Sequence, residues 1–275
     1  MSVVPAEVLP GSTPAGETDP GRPAELGPRA RLWPSLAAVY RAQLSRARVA
    51  RIPLLFVATF QSVGIMVLMR GVVDGGVGPE ATAVVSGASV LVVAFVALNL
   101  LAQYFGQLRA SGGLDHYATL AAPPAAVVLG TAAAYASFTV PGALVTAVVG
   151  CLLFKLPLAG LWVLLVVLPP AGAALAGLGA VAGLLAPRPE LATLCGQLGM
   201  SAVLLLGVLP AQRMPVPVRW LRELLPSSYA VDAFAASFAA RPDWGGIALD
   251  LAVCVVTGAV TLTVAGWAFR RAAVR

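Results

Sequence analysis

The chain has 275 residues, 59% of them hydrophobic and 11% charged, with a formal net charge of +6. That charged fraction is about half the share found in ordinary globular domains, so the composition argues against a water-soluble fold and for a lipid-embedded one. Of the eighteen basic residues only Lys155 is lysine; the arginine bias reads as the mark of a high-GC bacterial genome, and arginines gathered at the ends of apolar runs follow membrane topology rather than nucleic-acid binding.

The first thirty residues hold six prolines and scattered acidic and basic side chains. They cannot bury enough surface to fold, and residues 1–31 are expected to form a disordered tail ahead of a membrane domain over 32–275. The tail does not read as a signal peptide, because no apolar core follows Met1 and no arginine precedes Arg22.

From Pro34 to Arg51, Leu36, Val39, Tyr40, Leu44 and Ala47 recur at helical spacing while Arg41, Ser45, Arg46 and Arg48 fall on the other flank. The segment reads as an amphipathic helix lying in the membrane interface, with Arg41, Arg46, Arg48 and Arg51 as its basic residues. Six apolar segments follow, at 52–69, 83–105, 125–154, 158–186, 191–210 and 246–269. All are long enough for a helical span, and the third and fourth are longer, yet each too short for two. The third and fourth contain Pro141 and Pro169-Pro170, and single kinked or tilted spans are the expectation for both.

With the amino terminus inside, twelve basic residues face the cytoplasm and six face out, so the positive-inside rule places both termini in the cytoplasm. The polar stretch QLRASGGLDHYATLAAPP at 107–124, between spans two and three, is then also cytoplasmic. Its apolar contacts are Leu108, Leu114, Tyr117 and Leu120. Composition leaves two readings open for it: a short helix presented to a partner, and a solvated connection. Span four is rich in small residues, with Gly179 and Gly183 four apart. Close packing of helices and compositional drift both account for that.

Catalytic and metal chemistry find little to work with. Cys151, Cys195 and Cys254 lie far apart in apolar runs without metal-ligand spacing and read as small buried hydrophobes. His116, the only histidine, reads as solvated or partner-facing. Lys155 in LFKLP lacks the context of a phosphate-binding loop, so the chain is expected to be no enzyme and to hydrolyse no ATP by itself. The polar side chains in or near spans are chiefly Gln61, Asn99, Gln103 and Gln197, with Asp250 near the outer end of span six. A proton-driven carrier would need carboxylates in mid-membrane, and the sequence offers none.

The basic helix, the six spans, the series Arg109, Gly113, Leu114, Asp115, Tyr117 and Leu120 after span two, and LPSSYAVDAF before span six together resemble the type-2 permease family of ATP-binding-cassette transporters. In that family a Gly-x-Leu-(Glu or Asp) segment followed by a leucine forms a coupling helix seated in an ATPase subunit. Here Ala121 stands where a proline commonly follows that leucine. Pro226, Tyr229 and Asp232 are similar to the family's Pro-x-x-Tyr-x-x-Asp-Ala pattern, in an external region, 210–246, expected to form re-entrant helices. The resemblance implies an all-α polytopic permease of the bacterial plasma membrane, working as a homo- or heterodimer with two copies of a separate ATPase. This chain would bind no cofactor, and ATP and magnesium would sit in the partner. The cargo implied is hydrophobic or amphiphilic, a drug, antibiotic, lipid or glycan, moved outward. A non-transporting membrane anchor or immunity protein is the alternative, and an adjacent gene for an ATPase would separate the two.

Overall fold

The computed structural model describes residues 31–71, 78–114, 117, 123–208 and 215–273. The expected disordered tail at 1–30 lies outside them. Among the described residues the chain is helical, with no strand. Six helices are long and apolar enough to cross a membrane. They are α1 (Leu32–Arg70), of which Ile52–Arg70 is the apolar part, α2 (Pro79–Ala110), α3 (Pro124–Leu153), α4 (Leu161–Leu185), α5 (Pro189–Val208) and α8 (Trp244–Ala273). Two shorter helices, α6 (Val216–Leu224) and α7 (Pro226–Ala236), lie between α5 and α8.

The long third and fourth segments are single helices that run through Pro141 and through Pro169 and Pro170. Span two extends beyond 83–105 at both ends. Pro79 occupies the first turn, where its missing N–H removes no helical bond. At the other end Gly112 takes a φ of +69°, and the Gly112 N–H bonds the Arg109 carbonyl at 3.3 Å. A left-handed glycine there closes the helix at low steric cost.

The amphipathic helix is not a separate interfacial element. It continues without a break into span one, giving a helix of 39 residues, about 58 Å at 1.5 Å per residue. Alanine and arginine across 46–51 favour helix, and Pro53 is accommodated inside it. Arg41 and Ser45 are exposed, Val39 packs on the core, and Gln43 is buried. The side chains of Arg46, Arg48 and Arg51 lie outside the described residues.

Helix α2 is the centre of the bundle, enclosed on nearly every side, whereas the apolar parts of α1, α5 and α8 present most of their surface outward. The outward side chains are large and apolar, among them Phe56, Phe60, Leu194, Leu198, Val256 and Val260. An exterior of this kind fits lipid. It also explains Cys195, which is exposed on α5 rather than buried as its apolar neighbours led us to expect; Cys151 and Cys254 are buried.

Glycines mark the helix crossings. Cβ atoms on Gly142 and Gly150 of α3 would meet Thr59 and Met66 of α1 at 2.8 and 2.9 Å. On α4, Gly172 faces Ala136, Gly177 faces Thr261, Gly179 faces the Leu98 carbonyl and Gly183 faces Phe105. The small-residue face of span four is therefore filled from within the chain.

Candidate functional site

Two regions carry the residues singled out from the sequence, one at each end of the bundle. At the first, α2 ends and the chain turns toward α3. Gly113, Leu114 and Tyr117 are in helical conformation, while Asp115, His116 and Leu120 lie outside the described residues. Leu114 is 4% exposed and belongs to the main core. The Tyr117 side chain also turns to the bundle, its hydroxyl 3.4 Å from that of Tyr104 on α2. Tyr104 in turn accepts a bond from the Gln43 amide of α1 at 2.8 Å, and its ring lies 5.8 Å from that of Tyr135 on α3. Leu114 and Tyr117, named from the sequence as apolar contacts of this segment, both anchor it to the membrane helices, because a leucine and a tyrosine gain more from burial than from water.

Arg109 reaches from α2 to another span. Its Nη1 donates to the carbonyls of Leu184 and Ala186, both at 2.8 Å. Those oxygens belong to the end of α4, where helical carbonyls lack partners and the helix dipole is negative. Arg109 is thus a cap for α4 supplied from α2.

One feature of the central helix escaped sequence reasoning. Ala94–Leu100 of α2 is wound as a π-helix, fully enclosed apart from Phe95 and Leu100. Within it Asn99 is 1% exposed and accepts a bond from the Gln103 amide at 3.0 Å. Glycines press on it from both sides, Gly179 of α4 against the Leu98 carbonyl, and Gly196 and Gly199 of α5 against Asn99 and Leu98. A π segment exchanges the usual hydrogen-bond register for a wider turn, and such turns occur often at functional sites. An asparagine in mid-span and glycines at spacing three and four on two other spans were the available signals.

At the opposite end, the described part of α5 runs to Val208. Gly207 lies opposite Gly87, eight residues inside the start of α2 and so about 12 Å in. Helix α7 packs there against α2, α4 and α8. Pro226 begins α7, and its carbonyl accepts a contact from the Cys254 thiol at 3.3 Å. Cys254 is ten residues, or about 15 Å, into α8. From there α7 rises until Ser237 sits against Gly160 at the start of α4. Helix α7 thus runs from beside the interior of α8 to the start of α4.

All three motif residues of this region are used to hold it. Pro226 starts the helix, the Tyr229 hydroxyl bonds the Glu223 carbonyl at 2.9 Å, and Asp232 pairs with Arg222. Arg222 also donates from Nε to the Leu206 carbonyl at 3.2 Å, near the end of α5. One guanidinium therefore joins α5, α6 and α7. The apolar side chains of the two helices differ in exposure: Trp220, Leu221 and Leu224 of α6 are exposed, whereas Val231 and Phe234 of α7 are buried.

Between these ends, an apolar cavity of about 470 Å³ opens among α1, α3, α4 and α8, lined by residues that include Trp33, Leu36, Ala136, Val140, Leu168 and Leu262.

A sequence comparison decides what such a bundle is. The family described as ABC-2 type transporter matches residues 36–239, from the amphipathic part of α1 to just past α7. The chain belongs to the ABC-2 type transporter family. No curated protein matches it in sequence. As an ABC-2 protein it is a multi-pass membrane permease component of an ABC transporter, not an ATP-binding domain.

Proposed function

We propose that this ABC-2 permease is the membrane half of an ATP-driven exporter, paired as a homo- or heterodimer with two copies of a separate ATPase subunit. The chain binds no cofactor in this reading, and ATP and magnesium belong to the partner. The observation that carries it is the segment after α2, anchored by Leu114 and by the Tyr117–Tyr104–Gln43 contacts to α1 and α2. A segment fixed to the membrane helices on one side transmits a push received on its other side. The end of the bundle with Arg109 is then cytoplasmic, and Asp115 and Leu120 remain as candidates for the partner-facing side. The π segment one turn above Tyr104 gives α2 a place to change its register as the push arrives.

A hydrophobic or amphiphilic cargo is favoured by the apolar cavity among α1, α3, α4 and α8. Carboxylate-driven transport is not favoured by the described residues, since Asp232 is held by Arg222 and Asp250 lies within the first two turns of α8. Outward movement, a bacterial plasma membrane and the drug, antibiotic, lipid or glycan nature of the cargo all belong to this proposal.

The test is reconstitution. The purified chain in vesicles should show no ATPase activity above background, and turnover should appear when the ATPase encoded beside it is added, together with movement of an apolar dye. ATPase binding without any transport would favour the anchor reading; turnover by the chain alone would overturn both.

A further inference from the structure

The ends of α2, α4 and α8 that meet beside Arg109 enclose a cavity of about 200 Å³, lined by Arg109, Leu184, Leu185, Ala268, Arg271 and Ala272. Two guanidiniums share this space with four aliphatic side chains, and among the described residues no carboxylate lines it. Arg109 is held in place because its Nη1 bonds two carbonyls at the end of α4. A guanidinium carries five N–H donors, so further ones remain for a ligand. Arg271 is steadied differently, with its guanidinium carbon 5.3 Å from the centre of the Trp267 ring. Among the described residues neither arginine forms an ion pair.

The neighbourhood identifies the source of a matching anion. Leu185 and Trp267 beside the cavity are 52% and 54% exposed on the outside of the bundle, so its mouth borders the lipid-facing surface. It also sits in the last turns of α2 and α8, where apolar helix gives way to arginine and where lipid headgroups lie. A soluble phosphate would gain nothing from the leucine and the indole, whereas acyl chains would run along them. Arginine forks suit phosphate oxygens in particular.

We propose that this cavity is a binding site for an anionic phospholipid, whose phosphate is held between Arg109 and Arg271. The lipid would fasten the end of α8 to the cap that joins α2 and α4. The site stands apart from the transport reading and its failure would leave that reading intact.

The experiment uses the full chain in phosphatidylcholine nanodiscs, with phosphatidylglycerol titrated in and bound lipid counted by native mass spectrometry. Phosphatidylglycerol should be retained and phosphatidylcholine, which carries its own cation, should not. Arg271→Gln should weaken retention roughly tenfold, as expected for loss of a charged hydrogen-bond partner, and Arg271→Lys should recover part of it. Arg270→Gln is the control: its residue is the sequence neighbour, equally basic and exposed, but does not line the cavity. Its effect should stay below about twofold, as for exposed charges generally. Equal losses in the two glutamine variants would mean diffuse surface attraction and would overturn the site. So would competition by glycerol phosphate at the same concentration, which would mark a soluble anion, or retention of both lipids alike.

Discussion

The Tyr104 hydroxyl accepts a bond from Gln43 of α1 and lies 3.4 Å from the Tyr117 hydroxyl, so a single oxygen atom links the amphipathic part of α1, the central span and the segment after it. Tyr104→Phe should keep the ring contacts with Tyr135 and Phe105 and cost about 1 kcal/mol in unfolding free energy. If the segment works through this link, coupled ATPase activity should persist while transport falls; unchanged transport would assign Tyr104 to packing alone. At the other end Arg222 supports three helices, its side chain 13% exposed against 47% for Asp232. Arg222→Gln should therefore destabilise by about 2 kcal/mol, because it removes both the ion pair and a bond to the Leu206 carbonyl. Asp232→Asn should cost less, since its carboxylate still reaches water. Thermal unfolding of the two variants in detergent gives the order, and a larger loss for Asp232→Asn would contradict it. Of these residues Tyr117, Asp232 and Arg109 stood out in the sequence, but their partners did not. A motif names a side chain without saying which helix it will face.

Helices in lipid gain little from hydrophobic association, and close backbone approach at small residues contributes instead. The contrast between Gly179 and Gly64 expresses this. A Cβ on Gly179 would collide with the Leu98 carbonyl of the π segment, whereas one on Gly64 of α1 would meet nothing within 4 Å. Backbone cannot move aside as a flexible side chain can, so Gly179→Ala should destabilise by about 1 to 3 kcal/mol. Gly64→Ala should be neutral or stabilise by up to about 1 kcal/mol through helix propensity. Unfolding midpoints in one detergent compare the two, and equal shifts would sink the account. At this scale the apolar runs at 52–69 and 125–154 were read nearly to the residue. The amphipathic segment and span one form one helix through Arg51, because the sequence there contains no residue that ends a helix strongly enough. The π segment was illegible for a different reason: its extra residue per turn is held by glycines on α4 and α5, far away in the chain.

For the molecule as a whole, Gly113 and Asp243 are separated by three helices long enough to cross a membrane, α3, α4 and α5, and by the short helices α6 and α7. Three crossings put the two residues on opposite sides. Reporter fusions after Gly113 and after Asp243 should accordingly give opposite signals, with Asp243 outside; the same signal from both would overturn the arrangement. The number of spans, their all-helical nature and the uneven placement of arginine were determined by the sequence alone, because each depends on local composition and on a length set by the bilayer. Tertiary structure alone decided that Arg109 caps α4, that Leu114 and Tyr117 turn inward, that the glycines of α4 are filled from within the chain and that Arg109 and Arg271 share one cavity. Each of these depends on which helix lies beside which, and apolar runs of similar composition carry little information about their neighbours until backbones meet at particular small residues.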